Sequence, residues 1–161
     1  MELAERERIA VLFQQEPFSY KLAAEIEPLL RRHWDEIAHY KDIPLDVDWS
    51  AYAAAALQGM LRIYTMRDVD ASQLVGYAVY VVKPHLHYRG SMQAMQDVLY
   101  LVPEHRNAGG GGALIAFADQ LLAQDGVKVV YHHVKLAHDF GPLLARLGYE
   151  PIETVWGRRL E

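Results

Sequence analysis

The chain contains no cysteine. Disulfides, thiolate metal centres and a thiol nucleophile are excluded, and a reducing, cytoplasmic setting is the expectation. It also lacks any apolar run approaching the roughly 18–20 residues that span a bilayer, so no membrane association through a helix is expected. The opening MELAERERIAV mixes charges and holds no apolar core, which is not the pattern of a secretory signal. An excess of positive charge is missing too: 16 Lys and Arg stand against 21 Asp and Glu, for a formal net charge of −5. General affinity for a nucleic-acid backbone is therefore not expected. Internal repeats, low-complexity tracts and linkers are absent. With 161 residues, 52% of them hydrophobic and 23% charged, a single globular domain spanning 1–161 is the expectation.

What is present reads as helices first, then strands, then a strand–loop–helix–strand unit. SYKLAAEIEPLLRRHWDEIAHYKD places Leu22, Ile26, Leu29, Leu30, His33 and Ile37 at helical spacing, with Pro28 expected to kink or restart the helix. WSAYAAAALQGM predicts a short alanine-rich helix closed by Gly59. LRIYTMRD and LVGYAVYVVK predict a hairpin, and MQDVLYLV a further strand ending at Pro103. A helix over Leu114, Phe117, Ala118, Leu121 and Leu122 is closed by Gly126. VKVVYHHVKL predicts a strand, FGPLLARLGY a short helix, and TVWGRRL a last strand. The pattern is α+β with a mixed sheet.

Between a strand and a helix stands HRNAGGGGALI, with four consecutive glycines at 109–112. Glycine loses more conformational freedom on folding than any other residue, so a run of them points to a use for bare backbone. The first N–H groups of a helix have no intrahelical partner and lie at its positive pole, and glycine lets an anion reach them. A merely flexible loop is the alternative for a lone glycine run. The context of strand, proline, Arg106 and amphipathic helix favours a phosphate cradle. No Gly-Lys-Ser/Thr follows, as a P-loop needs, and no acidic residue ends the next strand, as a dinucleotide fold needs.

LYLVPEHRNAGGGGALI resembles motif A of the GNAT superfamily of N-acetyltransferases, in which Arg/Gln-x-x-Gly-x-Gly/Ala binds the pyrophosphate of acetyl-coenzyme A. Arg106, Gly109 and Gly111 take the defined positions, and Asn107 stands where a glycine is usual. FGPLLARLGYEPIETVWGRRL resembles the closing helix, Leu-Gly-aromatic corner and last strand of that family. The resemblance implies a GNAT-like fold: a central mixed, mostly antiparallel sheet, helices on both faces, and a splayed cleft for CoA between DVLYLV and VKVVYHHV. It implies an acetyl-CoA-dependent acyltransferase acting on a primary amine, small-molecule or peptide, by direct attack in a ternary complex. The cofactor contacts it implies are Leu101, Val102, Arg106, Asn107, Ala108, Gly109, Gly110, Gly111, Gly112 and Ala113. A non-catalytic acyl-CoA-binding or interaction protein on the same fold is the alternative, and a homodimer is left open.

For chemistry, the resemblance offers Asp97, on the strand before the cradle, as general base. A structural hydrogen-bond acceptor is the other reading of that carboxylate. The tyrosine that many relatives use to protonate the leaving thiolate is replaced by Leu144, leaving Tyr131, Tyr100 or water. The family's coenzyme-contacting asparagine is replaced by Ala137 or His138. On the acceptor side, Asp46 and Asp48 form part of an acidic loop that could draw an ammonium group, although Asp48 or Ser50 equally suits a helix N-cap. His85 and His87 alternate on a hairpin, as solvated tip residues or as acceptor contacts. Their spacing matches no closed zinc pattern, so no metal is expected.

Overall fold

The computed structural model describes residues 10–106 and 109–160. Its sheet runs in chain order: β1 (Val11–Gln15), β2 (Leu61–Asp68), β3 (Leu74–Pro84), β4 (Met92–Leu101) and β5 (Val129–Tyr131). The first four strands pair antiparallel and β5 joins β4 in parallel. The helices are α1 (Tyr20–Ile37), α2 (Trp49–Leu57), α3 (Pro103–Arg106), α4 (Gly110–Gln124) and α5 (Gly141–Arg146). This is an α+β fold with a mixed, mostly antiparallel sheet.

Strand alternation divides the core between two faces. Ile63, Tyr77, Val79 and Val98 face α1 and α2, where they meet Leu22 and Ile26 around a cavity of about 10 Å³. On the opposite face Tyr64 packs edge-on to Phe117 of α4, with centroids 6.1 Å apart. Leu114, Ala118 and Leu122, one turn apart along α4, are fully buried there. The helix ends follow local chemistry. Ser19 caps α1 by accepting from Leu22 N–H at 3.0 Å, and Asp48 caps α2 by accepting from Ala51 N–H at 2.9 Å. Gly59, Gly126 and Gly148 take positive φ just beyond α2, α4 and α5. Pro28 lies inside α1 without ending it.

Three expectations are corrected. The chain begins its described part with a strand, β1, which was not expected; its alternate half-buried side chains pair with β2 at the sheet edge. The strand expected over VKVVYHHVKL is only Val129–Tyr131, because His132 then leaves the ladder to bond Gln96. Residues 150–160 form no strand. Their charges act elsewhere: Arg159 Nη1 reaches Asp42 at 2.7 Å and the guanidinium lies 5.5 Å from the Tyr40 ring centroid. Among the described residues no helix is long and apolar enough to cross a membrane.

Candidate active site

β5 pairs only with Gln93–Met95 of β4, so β4 runs on for residues 96–101 with an open edge. The opening begins at an irregularity. Val79 is opposite Val98 but Tyr80 is opposite Gln96, which leaves Asp97 as an extra, bulged residue. Gln96 and Asp97 consequently turn to different faces. Gln96 Oε1 lies 3.0 Å from His132 Nδ1, bridging the root of the cleft on the α4 side. His132 is packed edge-on against Tyr149 and Tyr80, and burial pushes its pKa down to about 4, so the ring is neutral. Tyr149 donates to Asp119 at 2.6 Å, and burial raises the Asp119 carboxyl above its ordinary range.

Asp97 turns to the α2 side, where the Tyr52 hydroxyl donates a hydrogen bond to its Oδ2. Burial, together with that bond, raises the Tyr52 pKa, so the phenol keeps its proton and acts as donor. Tyr77 lies beneath, fully buried, with its hydroxyl unpartnered among the described residues. Sequence reasoning missed Tyr52: its helical spacing resembles that of any core aromatic, and the contact spans 45 positions.

The glycines serve different physical ends. Gly109 precedes α4 at φ +78°, the left-handed region, and among the described residues no side chain caps the helix. A Cβ on Gly110 would lie 3.0 Å from Met66 Cε and 3.2 Å from the His105 carbonyl. A Cβ on Gly112 would approach Leu143 Cδ1 to 3.2 Å, whereas one on Gly111 would make ordinary contact at 3.6 Å. Ala113 N–H already bonds Gly109 C=O at 3.1 Å, so the donors of the first turn are those of Gly110, Gly111 and Gly112. Asn107 and Ala108 lie outside the described residues.

Arg106 is not poised over this turn. Its Nε donates to Leu101 C=O at 2.8 Å, and Nη2 meets both Glu36 carboxylate oxygens at 3.0 and 2.9 Å. The guanidinium rests 5.4 Å from the Tyr100 centroid, on the α1 side of β4, whereas Gly110 packs on Leu101 on the α4 side. Val102 N–H donates to Val75 C=O in β3, and Val102 C=O accepts from His105. By alternation the backbone groups of Leu101 and Leu99 face the open edge. Leu99 is the position that the sequence did not single out.

The other candidates are dispersed. Asp48 is occupied as the α2 cap, bonded to Ala51 N–H and the Ser50 hydroxyl, and Asp46 is exposed. His85 and His87 share the β3–β4 turn, where His85 Nδ1 accepts from His87 N–H at 3.0 Å and its ring stacks on Tyr88. Five residues of β4, roughly 17 Å, separate that turn from Asp97. Leu144 is buried in α5; Tyr100 is buried beside His33, with ring centroids 5.1 Å apart. Burial pushes the His33 pKa down to about 4. Among the described residues no three His, Asp or Glu side chains gather as metal ligands.

The overall architecture recurs in solved structures. An acetyltransferase of Trypanosoma brucei superposes with a TM-score of 0.70 at 17% identity, over 92% of this chain and 100% of that one. The chain has the GNAT fold. An aminoglycoside acetyltransferase from an uncultured soil metagenomic sample, in complex with sisomicin, gives 0.72 at 14% identity, covering 94% and 97%. A predicted acetyltransferase from Clostridium acetobutylicum, with acetyl-CoA, gives 0.70 at 10% identity, again covering 94% and 97%. No protein-family model matches the chain, and none of the curated proteins matches it. At these identities the GNAT likeness establishes architecture, and the activity rests on the site.

Proposed function

We propose that the protein is an N-acetyltransferase that transfers acetyl from acetyl-CoA to a primary amine, small-molecule or peptide. The observation that carries this reading is the continuity of three features: a carboxylate at a bulge of β4, an open backbone edge along the rest of that strand, and the glycine-led first turn of α4 beyond it. The residues fit the coenzyme. Gly110, Gly111 and Gly112 offer donors and positive helix potential to a pyrophosphate; the tight packing of Gly110 against Met66, Leu101 and the His105 carbonyl seats that turn on β4. Leu99, and the N–H of Leu101, whose carbonyl is held by Arg106, offer backbone groups to an amide-bearing arm along β4. Bound there, acetyl-CoA supplies an activated thioester.

The chain's own contribution is a proton route and positioning. An amine attacks only in its neutral form, and Asp97 accepts its proton directly or through one water. Tyr52 holds the Asp97 carboxylate by donating to it and leaves the other oxygen to the acceptor. His132, neutral and bound to Gln96, keeps the cleft open at its root. No tyrosine stands at position 144, so a thiolate leaves without that acid; a thiol of modest pKa needs little help.

Two measurements test the proposal. Acetyl-CoA, but not ATP, should raise the melting temperature, and amines should elicit acetyl-CoA-dependent thiol release. Binding without thiol release for any amine would favour a non-catalytic acyl-CoA-binding protein on the same fold.

A further inference from the structure

The face of the sheet that carries Asp97 is covered by α1 and α2 only in part. Beyond Val79 and Val98, register places Val81, Met95 and Tyr131 side by side in the next row on that face. Met95 is 39% exposed. The following row holds Lys83, Gln93 and Val129, and Val129 is also 39% exposed. A half-open apolar floor thus leads away from the bulge. Gln93, in the Lys83 row, lies four positions before Asp97, roughly 13 Å of strand.

The charges on this floor are few and ordered. Asp97 is the one acidic residue in β3, β4 and β5, and Lys83 the one basic residue. The neighbouring helix α2, WSAYAAAAL, has no charged residue. An anion therefore stands at the reacting end, a cation at the far end, and apolar side chains between them. A polyamine or aminoglycoside laid along this floor would bring its second ammonium onto apolar surface and then toward Lys83. Both placements are unfavourable: the first strips a charge of water without a partner, and the second sets like charges together.

We infer that the acceptor is a primary monoamine on an apolar body up to roughly 13 Å long, with no second cation. This rests on the acetyltransferase reading above and narrows its acceptor. The amine sits at Asp97, its body lies over Met95 and Tyr131, and Lys83 tolerates a neutral or anionic far end.

The test compares kcat/KM for phenethylamine and hexylamine with that for spermidine and kanamycin, by thiol release in the wild type and in Lys83→Glu. The apolar monoamines should be preferred by about tenfold or more, the scale of one lost apolar contact or one uncompensated charge. Lys83→Glu should raise spermidine turnover about fivefold and leave phenethylamine within about twofold, because only the second ammonium meets position 83. A wild-type preference for spermidine or kanamycin overturns the inference and leaves the acetyltransferase reading standing. So does a preference that Lys83→Glu does not change. Absence of thiol release with all four amines, while acetyl-CoA still raises the melting temperature, overturns both.

Discussion

Arg106 spans two elements at once: its Nε holds the Leu101 carbonyl at 2.8 Å while Nη2 reaches the Glu36 carboxylate at 3.0 and 2.9 Å. The motif's arginine is thus an anchor that ties the start of the glycine loop to β4 and α1. Its charge is already matched. Removing either partner should loosen the loop and weaken coenzyme binding indirectly. Arg106→Ala and Glu36→Gln should each cost about 1–2 kcal/mol of stability, as expected for a half-buried charged hydrogen bond. Both should weaken CoA affinity in calorimetry. If Glu36→Gln instead tightens binding, Arg106 acts as a free charge that Glu36 was holding back.

The glycines predict a separation of folding from binding. A Cβ at Gly111 makes only ordinary contact with Leu143, so Gly111→Ala should fold with a change within about 0.5 kcal/mol. Gly111→Glu adds a negative charge beside the first-turn donors and should abolish CoA binding. Gly110→Ala meets Met66 and the His105 carbonyl, and should lower the melting temperature as well. Unchanged CoA affinity in Gly111→Glu would remove the cradle from the site.

Stability should fall in mild acid. His33 and His132 titrate near 4 in the folded chain, because burial opposes their charging, against an ordinary value of 6.5. Between those values the unfolded chain binds more protons. The contribution of both rings is therefore complete above about pH 6.5 and is lost as pH falls toward 4. Allowing for their partial exposure, about 1–2 kcal/mol for each ring is expected. Glu16, whose pKa is lowered chiefly by its hydrogen bond to Arg67, weakens the fold only at still lower pH. Asp119, raised by burial, opposes the trend in the carboxylate range. Denaturant melts from pH 4.5 to 8 on the wild type, His33→Gln and His132→Gln check this. Each variant should show a shallower slope.

The parts of this molecule that were legible in sequence are those governed by short spacing. The β2–β3 hairpin, the buried stripe of α4 and the glycine turn each follow from periodicity or backbone freedom within about a dozen residues. What was hidden depends on partners far apart in sequence. Nothing in PEHR shows that Arg106 will find Glu36, 70 positions away. The bulge that isolates Asp97 becomes visible only when β3 and β4 are set in register, since the extra residue exists relative to a partner strand. TVWGRRL has strand composition, yet Arg159 takes Asp42 and the segment stays outside the sheet.

The remaining prediction concerns Asp97 and Tyr52 together. A carboxylate that accepts the acceptor's proton is worth about 10²- to 10⁴-fold, so Asp97→Asn should lower kcat by that range and leave CoA affinity nearly intact. Tyr52 does not receive the proton itself; its phenol is held in the donor form by burial and by Asp97. Its role is to orient the carboxylate toward the acceptor. Tyr52→Phe should therefore lower kcat less, by about tenfold, with CoA affinity kept. A purely structural role for Tyr52 would lower the melting temperature and leave kcat unchanged. His85 and His87 bond each other in a turn roughly 17 Å along β4, so His85→Gln and His87→Gln should keep wild-type kcat. If one of those histidine variants alone loses turnover, or if Asp97→Asn turns over like the wild type, the proton leaves by another route.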